Sequence, residues 1–124
     1  MKAIDRAKTH FASLDPEIIE VPQWADETGA PLLIHVNPLT VKDRDKLSKI
    51  EDRVGPGLEL IVHGLIIHAR DAEGEPLFTM ADKPDLMNRV DPEVVLAIGA
   101  AMFTELDPEV IKKKSSQTAP YASA

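Results

Sequence analysis

The chain lacks cysteine altogether. Disulfide frameworks, zinc–thiolate sites and thiol nucleophiles are therefore excluded. Aromatic residues make up only 4% of the 124 residues, so a core has to be built mainly from aliphatic side chains. Hydrophobic residues still reach 44%, close to the average of globular domains, and the length suits one domain of ordinary size.

Long apolar runs and positive charge are also scarce. The longest apolar run spans ten residues, 94–103, whereas a membrane-spanning helix needs about 20. Residues 1–6 alternate in charge without an apolar segment, which is not the pattern of a signal peptide. We therefore expect a cytoplasmic protein. The net charge of −7, from 21 acidic and 14 basic residues, argues against nucleic acid or a membrane as the partner.

The order of apolar patterns and turn residues predicts an α+β fold, in which four to five helices accompany one short β-hairpin. The first helix is expected over residues 3–14, because four apolar residues recur there at spacings of three and four. These residues are Ile4, Ala7, Phe11 and Leu14. Two β-like runs, Ile18–Pro22 and Pro31–Pro38, predict the hairpin with a long loop between its strands. The domain is expected to span residues 1–111, with a disordered, flexible tail over 112–124.

Three further helices are expected between the hairpin and residue 90. Thr40 is a good N-cap for a mostly charged surface helix, which Gly55-Pro56-Gly57 ends. Residues 58–70 are apolar on most sides, which is typical of a central helix. The stretch Thr79–Val90 is expected to contain a helix capped by Asp82.

The last predicted helix is the apolar run 94–103, which follows a strong start signal at Asp91-Pro92-Glu93. Two interpretations are open. The run is either a buried core helix or an interface, because a small domain has limited room for two helices that are apolar all round. In the second case, a partner or another copy of the chain would contact it. The candidate interaction residues are Val95, Ile98, Met102 and Phe103.

No residue pattern indicates a catalytic, cofactor-binding or metal site. His63 and His68 are five residues apart, which separates them by about 140° on a helix, so they do not share a face as metal ligands would. The acidic segment 71–75 lacks the ligand offsets of a calcium loop and is expected to be a turn. We therefore expect a protein that is not an enzyme and needs no cofactor.

The segment from Asp71 to Ile98 carries a recognisable order of turn and cap residues. Gly74, Pro76, Leu77, Phe78 and Thr79 form a Gly-x-Pro-Leu-Phe-Thr turn, and Asp82-Lys83 and Val90-Asp91-Pro92 follow. This order resembles the tail assembly chaperone family of long-tailed phages and prophages. The order upstream also fits, with an N-terminal helix, a hairpin-like region, a helix start at Leu39-Thr40 and an apolar helix. The resemblance covers roughly residues 1–111.

The resemblance implies a non-enzymatic role. Proteins of this family bind the tail tape-measure protein and help to recruit tail-tube subunits in the bacterial host cytoplasm, and they are absent from the mature virion. They are commonly made in a short form and a longer frameshifted form. The lysine run 112–114 is a candidate position for that programmed frameshift, because a run of adenines can encode it.

Two other functions stay open at this stage. One is a different small interaction adaptor or regulator of bacterial or prophage origin. The other is an enzyme that uses a carboxylate, or His35 and His63, in a cleft.

Overall fold

The computed structural model describes residues 1–103. The predicted tail, 112–124, and the end of the predicted domain, 104–111, lie outside the described residues. Within 1–103 the predicted α+β fold is confirmed, with five α-helices and a two-stranded antiparallel hairpin. The elements are α1 (Ala3–Ala12), β1 (Glu17–Val21), β2 (Leu32–Val36), α2 (Val41–Val54), α3 (Leu58–His68), α4 (Lys83–Asn88) and α5 (Pro92–Met102). Two short 3-10 turns, Pro22–Trp24 and Met80–Asp82, complete them.

The hairpin directs one apolar face inward and leaves the other uncovered. Strands β1 and β2 pair from Glu17 opposite Val36 to Val21 opposite Leu32. Because side chains alternate along a strand, one set faces the helices and is buried. This inward set is Ile19, Val21, Ile34 and Val36. On the other edge of β2, His35 exchanges two backbone hydrogen bonds with Arg70, of 2.8 and 3.0 Å, which ties the chain after α3 to the hairpin.

Two five-residue loops, 26–30 and 71–75, share one geometry. In each, the N–H of the first residue donates to the carbonyl of the fifth, and the aspartate carboxylate accepts from backbone N–H groups inside the loop. Gly29 and Gly74 take φ angles of +87° and +86°, which suit glycine. The interpretation of 71–75 as a turn is thus confirmed, since backbone groups engage the Asp71 carboxylate.

Helix starts follow the predicted capping chemistry with one correction. Thr40 and Asp43 form a capping box at α2, with both hydrogen bonds at 3.0 Å, and Asp91 accepts from the N–H of Glu93 at α5. Asp82 occupies the N-cap position of α4, as predicted, but its side chain makes no cap hydrogen bond to that helix. Its carboxylate instead accepts from the backbone N–H of Thr79, at 2.9 Å, so it holds the 3-10 turn that precedes α4.

Helix α3 lies at the centre of the described structure, as its apolar sequence predicted. It packs against α2, α4 and α5. One buried cluster joins α3 and α5 to the inner face of the hairpin, and a second joins the other side of α3 to Leu86 of α4. Trp24 and Phe78 pack against both clusters. Their rings meet edge to face, with centroids 6.2 Å apart and planes at 76°.

Two glycines let α3 and α5 approach closely. A methyl group added at Gly99 of α5 would clash with Ile61 of α3, reaching within 2.8 Å of its Cγ1 atom. In the opposite direction, a methyl group at Gly64 of α3 would clash with the ring of Phe103. Each helix therefore presents a glycine to a large side chain of the other.

We expect Gly99→Ala to destabilise the fold although alanine favours helices. Overpacking costs about 1–3 kcal/mol and the gain in helix propensity is about 1 kcal/mol, so the expected net loss reaches about 2 kcal/mol. Urea denaturation measures it. The added change Ile61→Val should recover part of the loss, because it removes the δ-methyl that the alanine meets. A Gly99→Ala chain that is about 1 kcal/mol more stable than the unaltered chain would show only the gain in helix propensity and would contradict the close packing.

Candidate functional site

The four predicted interaction residues of α5 lie in or against the core. Val95 and Ile98 are each 2% exposed and Met102 is 7% exposed, while the half-buried ring of Phe103 packs over Gly64. In this structure the apolar run 94–103 therefore acts as a core helix. The surface that α5 offers is narrower, and consists of Leu96 with Ala97 and Ala100.

Helix α1 is amphipathic, yet none of its residues is buried. Ile4 is 61% exposed, Phe11 39%, and Leu14 just beyond the helix 43%. Together with Ala7 these residues form a line along one side of the helix, which we call the α1 stripe. A ten-residue helix alone in water is only marginally stable. The α1 stripe is thus a surface that gains stability when another apolar surface covers it.

The α1 helix is also cationic on an acidic protein. Lys2, Arg6 and Lys8 lie on or beside it, against a single acidic residue, Asp5. Among residues 1–103, no carboxylate lies within ion-pair distance of these three cations. At 100° per residue, Lys8 borders the α1 stripe and the other two lie farther round the helix.

The outer face of the hairpin is a second apolar surface that residues 1–103 leave uncovered, and it carries one acidic residue, Glu20. Ile18 is 58% exposed and Leu33 45%, and they lie diagonally across the strand pair. Glu20 stands directly opposite Leu33, and His35 opposite Ile18. We call these four residues the outer hairpin face.

A groove of about 170 Å³ joins the end of the α1 stripe to the body of the protein. Leu14 lines it together with Pro38, Leu39 and Met102, and the polar side chains at its rim include Asp15 and Glu17. The groove is small compared with pockets that hold organic ligands, which measure about 300–1,000 Å³. It adjoins the α1 stripe through Leu14, and its lining is partly polar.

A polar cluster links α3 to α4. The Nζ atom of Lys83 donates to Oε2 of Glu59 at 2.9 Å and to Nε2 of His63 at 3.2 Å. An ammonium group has no acceptor, so Nε2 must carry a lone pair and the imidazole must be neutral. His63 is 5% exposed, and burial, followed by the nearby charges of Lys83 and Arg53, lowers its pKa. The hydrogen bond from Lys83 likewise lowers the pKa of Glu59.

His68 is separate from this cluster. Burial lowers its pKa, the nearby Asp43 acts in the opposite direction, and its Nε2 atom has no hydrogen-bond partner among the described residues.

His35 lies on the outer hairpin face, whereas His63 lies between α3 and α4, so the two are not placed in one cleft. Within residues 1–103, no three His, Asp or Glu side chains group closely enough to hold a metal ion.

Sequence reasoning found the α1 stripe but not its exposure, and it missed the Glu59–Lys83–His63 cluster. Glu59 and His63 are four residues apart and so share a face of α3, which is a signal that could have drawn attention to them. Lys83 is 24 residues from Glu59 in the sequence, and no local pattern predicts that its side chain contacts α3.

Comparisons with known proteins do not add a family assignment. No family model matches the chain, and neither a curated protein nor a solved structure matches it. No helix within residues 1–103 has the length and apolar content needed to cross a membrane.

We expect the folded state to lose stability as pH falls below about 6.5, the ordinary pKa of histidine. The lowered pKa values of His63 and His68 mean that the unfolded chain binds protons first. The stability that the two neutral imidazoles contribute is fully present above that pH. It is lost as pH falls toward the lowered pKa values that His63 and His68 have in the folded state. The carboxylates of Asp43 and Glu59, whose pKa values are also lowered, add a further loss at more acidic pH.

Urea denaturation between pH 7.5 and pH 5 measures this loss. His63→Gln should make the decline shallower, because glutamine can accept from Lys83 without titrating. Thr9→Gln, on exposed α1, replaces no titratable group and is the control that should leave the pH profile unchanged. A profile that is flat across this range for the unaltered chain would contradict the neutral, buried imidazole.

Proposed function

We propose that this protein is a tail assembly chaperone of a long-tailed phage or prophage. It binds the tape-measure protein and helps to recruit tail-tube subunits, acts in the bacterial host cytoplasm without catalysis, and is not part of the mature virion. The observation that carries the proposal is the α1 stripe, an apolar helix side that the described chain leaves uncovered. A chaperone that holds another chain needs such a surface, because it shields apolar residues of the client from water.

The charges on α1 favour a particular kind of client segment. A helix that lays an apolar side against a partner gains specificity from the charges along its border. Lys8 borders the α1 stripe, and Lys2 and Arg6 add positive charge to the same helix. The segment of the tape-measure protein that binds here is therefore proposed to be apolar on one side and acidic at its borders.

The residues that carry the resemblance to this family have structural roles in the fold. Gly74 takes the positive φ of the loop after α3, and Pro76 pairs with Arg70 in a short β-bridge. Phe78 packs on Trp24, and Asp91 caps α5. These positions shape the scaffold, so client binding is proposed to rest on exposed residues elsewhere.

The second candidate function is another protein-interaction adaptor or regulator of bacterial or prophage origin. The same observation favours it, because the α1 stripe indicates protein binding without identifying the client. The identity of the bound protein separates the two candidates.

Co-expression with the tape-measure protein of the same tail gene cluster tests the chaperone proposal. The chain should raise the soluble yield of the tape-measure protein and co-purify with it. The double change Ile4→Gln and Phe11→Gln should abolish co-purification while circular dichroism stays near that of the unaltered chain, because α1 buries none of its residues.

Thr9→Gln is the matched control, since Thr9 lies on the opposite side of α1 from the stripe, and it should bind as the unaltered chain does. No gain in soluble tape-measure protein and no complex would contradict the chaperone function. A complex that survives the double change would show that the client binds elsewhere.

The programmed frameshift is a separate prediction, which concerns residues outside the described range. We expect the codons for Lys112–Lys114 to contain a slippery heptamer followed by an overlapping reading frame. Reading the gene and measuring the masses of the tagged products check this. A single product from a gene without such a heptamer would contradict it.

A further inference from the structure

Two uncovered apolar surfaces of this chain complement each other. The α1 stripe presents Ile4, Phe11 and Leu14 on a cationic helix. The outer hairpin face presents Ile18 and Leu33 beside Glu20. The two apolar surfaces therefore match within one sequence, and Lys8 at the border of the α1 stripe has a candidate counterpart in Glu20 of the outer hairpin face.

The described fold does not bring these two surfaces together within one chain. Helix α1 ends at Ala12 and β1 begins at Glu17, so only four residues connect them. Both surfaces stay exposed in the structure, with Ile4 at 61% and Ile18 at 58%. A second copy of the chain can cover both at once.

We propose that, when no client is bound, two copies pair reciprocally through these surfaces. The α1 stripe of each copy lies on the outer hairpin face of the other, with Phe11 and Leu14 against Ile18 and Leu33. Lys8 at the border of the stripe then lies near Glu20 of the hairpin it covers. The arrangement is isologous, so that a two-fold axis makes both contacts identical and closes the assembly at a dimer.

The contact is small, which has a consequence for function. A ten-residue helix is about 15 Å long, so two such helices give an interface in the class of weak, transient complexes, which bury less than about 1,200 Å². A client that binds α1 then competes with the second copy. That competition rests on the proposed function, whereas the pairing itself does not.

The absence of native cysteine allows a direct test on the full chain. One preparation carries Phe11→Cys, and a second, distinguished by a mass tag, carries Ile18→Cys. After mixing and mild oxidation, we expect a disulfide-linked species that contains one of each. The matched control replaces Phe11→Cys with Thr9→Cys, on the opposite side of α1, and should give at least tenfold less of this species.

The oligomeric state gives an independent readout. Sedimentation of the unaltered chain should show a concentration-dependent dimer, and Phe11→Gln or Ile18→Gln should shift it to monomer, while Thr9→Gln should not. Lys8→Glu should weaken the dimer. Adding Glu20→Lys to the same chain should restore it, because the exchanged charges again lie opposite each other in both contacts.

Several results would overturn the pairing. These are a chain that stays monomeric at its highest soluble concentration, a dimer that Phe11→Gln and Ile18→Gln leave unchanged, and an assembly that grows beyond the dimer. An intrachain disulfide in the double variant Phe11→Cys/Ile18→Cys would also overturn it, because α1 would then cover its own hairpin. These experiments do not contain the tape-measure protein, so they test the pairing alone. If the chain is monomeric here but still co-purifies with the tape-measure protein, the pairing is refuted and the chaperone function is not.

Discussion

The close approach of α3 and α5 is the constraint on which the rest of the fold depends. The side chain of Ile61 packs against Gly99, and the ring of Phe103 packs against Gly64. The absence of a side chain at each glycine thus leaves room for a large side chain from the opposite segment. With the two helices this close, the buried side of α5 also reaches the inner face of the hairpin. The buried core is thereby made of closely approaching helices and aliphatic side chains, and the half-buried rings of Trp24, Phe78 and Phe103 pack against it.

Because of this constraint, the most apolar segment of the sequence leaves little exposed surface for binding. Because α5 is committed to the core, its run of ten apolar residues leaves only Leu96 and small neighbours at the surface. The less apolar α1 is left without a partner in the described fold. High hydrophobicity thus marks the scaffold here, while an ordinary amphipathic helix provides the uncovered surface.

Local patterns predicted the elements well because each depends on neighbouring residues. The alternation of Leu32, Ile34 and Val36 predicted a strand, and Thr40 with Asp43 predicted a capped helix. Residues 79–90 form a 3-10 turn followed by the short helix α4, and this division was not predicted. Thr79 and Asp82 hold the turn, but both residues also suit the start of an ordinary helix.

Burial and pairing were harder to predict, because they depend on residues that are distant in sequence. The pattern of α5 fitted a core helix and an interface equally well, and only the arrangement of α3 distinguishes them. The contact between Lys83 and His63 likewise joins two elements across 20 residues. In the candidate site, the α1 stripe followed from spacing alone, whereas its exposure and its match to the outer hairpin face required the fold.

The position of Trp24 sets what optical measurements can detect. It is the chain's single tryptophan, it is half-buried, and it packs against both buried clusters and the ring of Phe78. Its emission therefore follows the integrity of the whole core, and changes when either cluster opens. Helix α1 contains neither tryptophan nor tyrosine. Intrinsic fluorescence is accordingly a sensitive reporter of unfolding and an insensitive one of events on the N-terminal helix, which calls for an extrinsic label there.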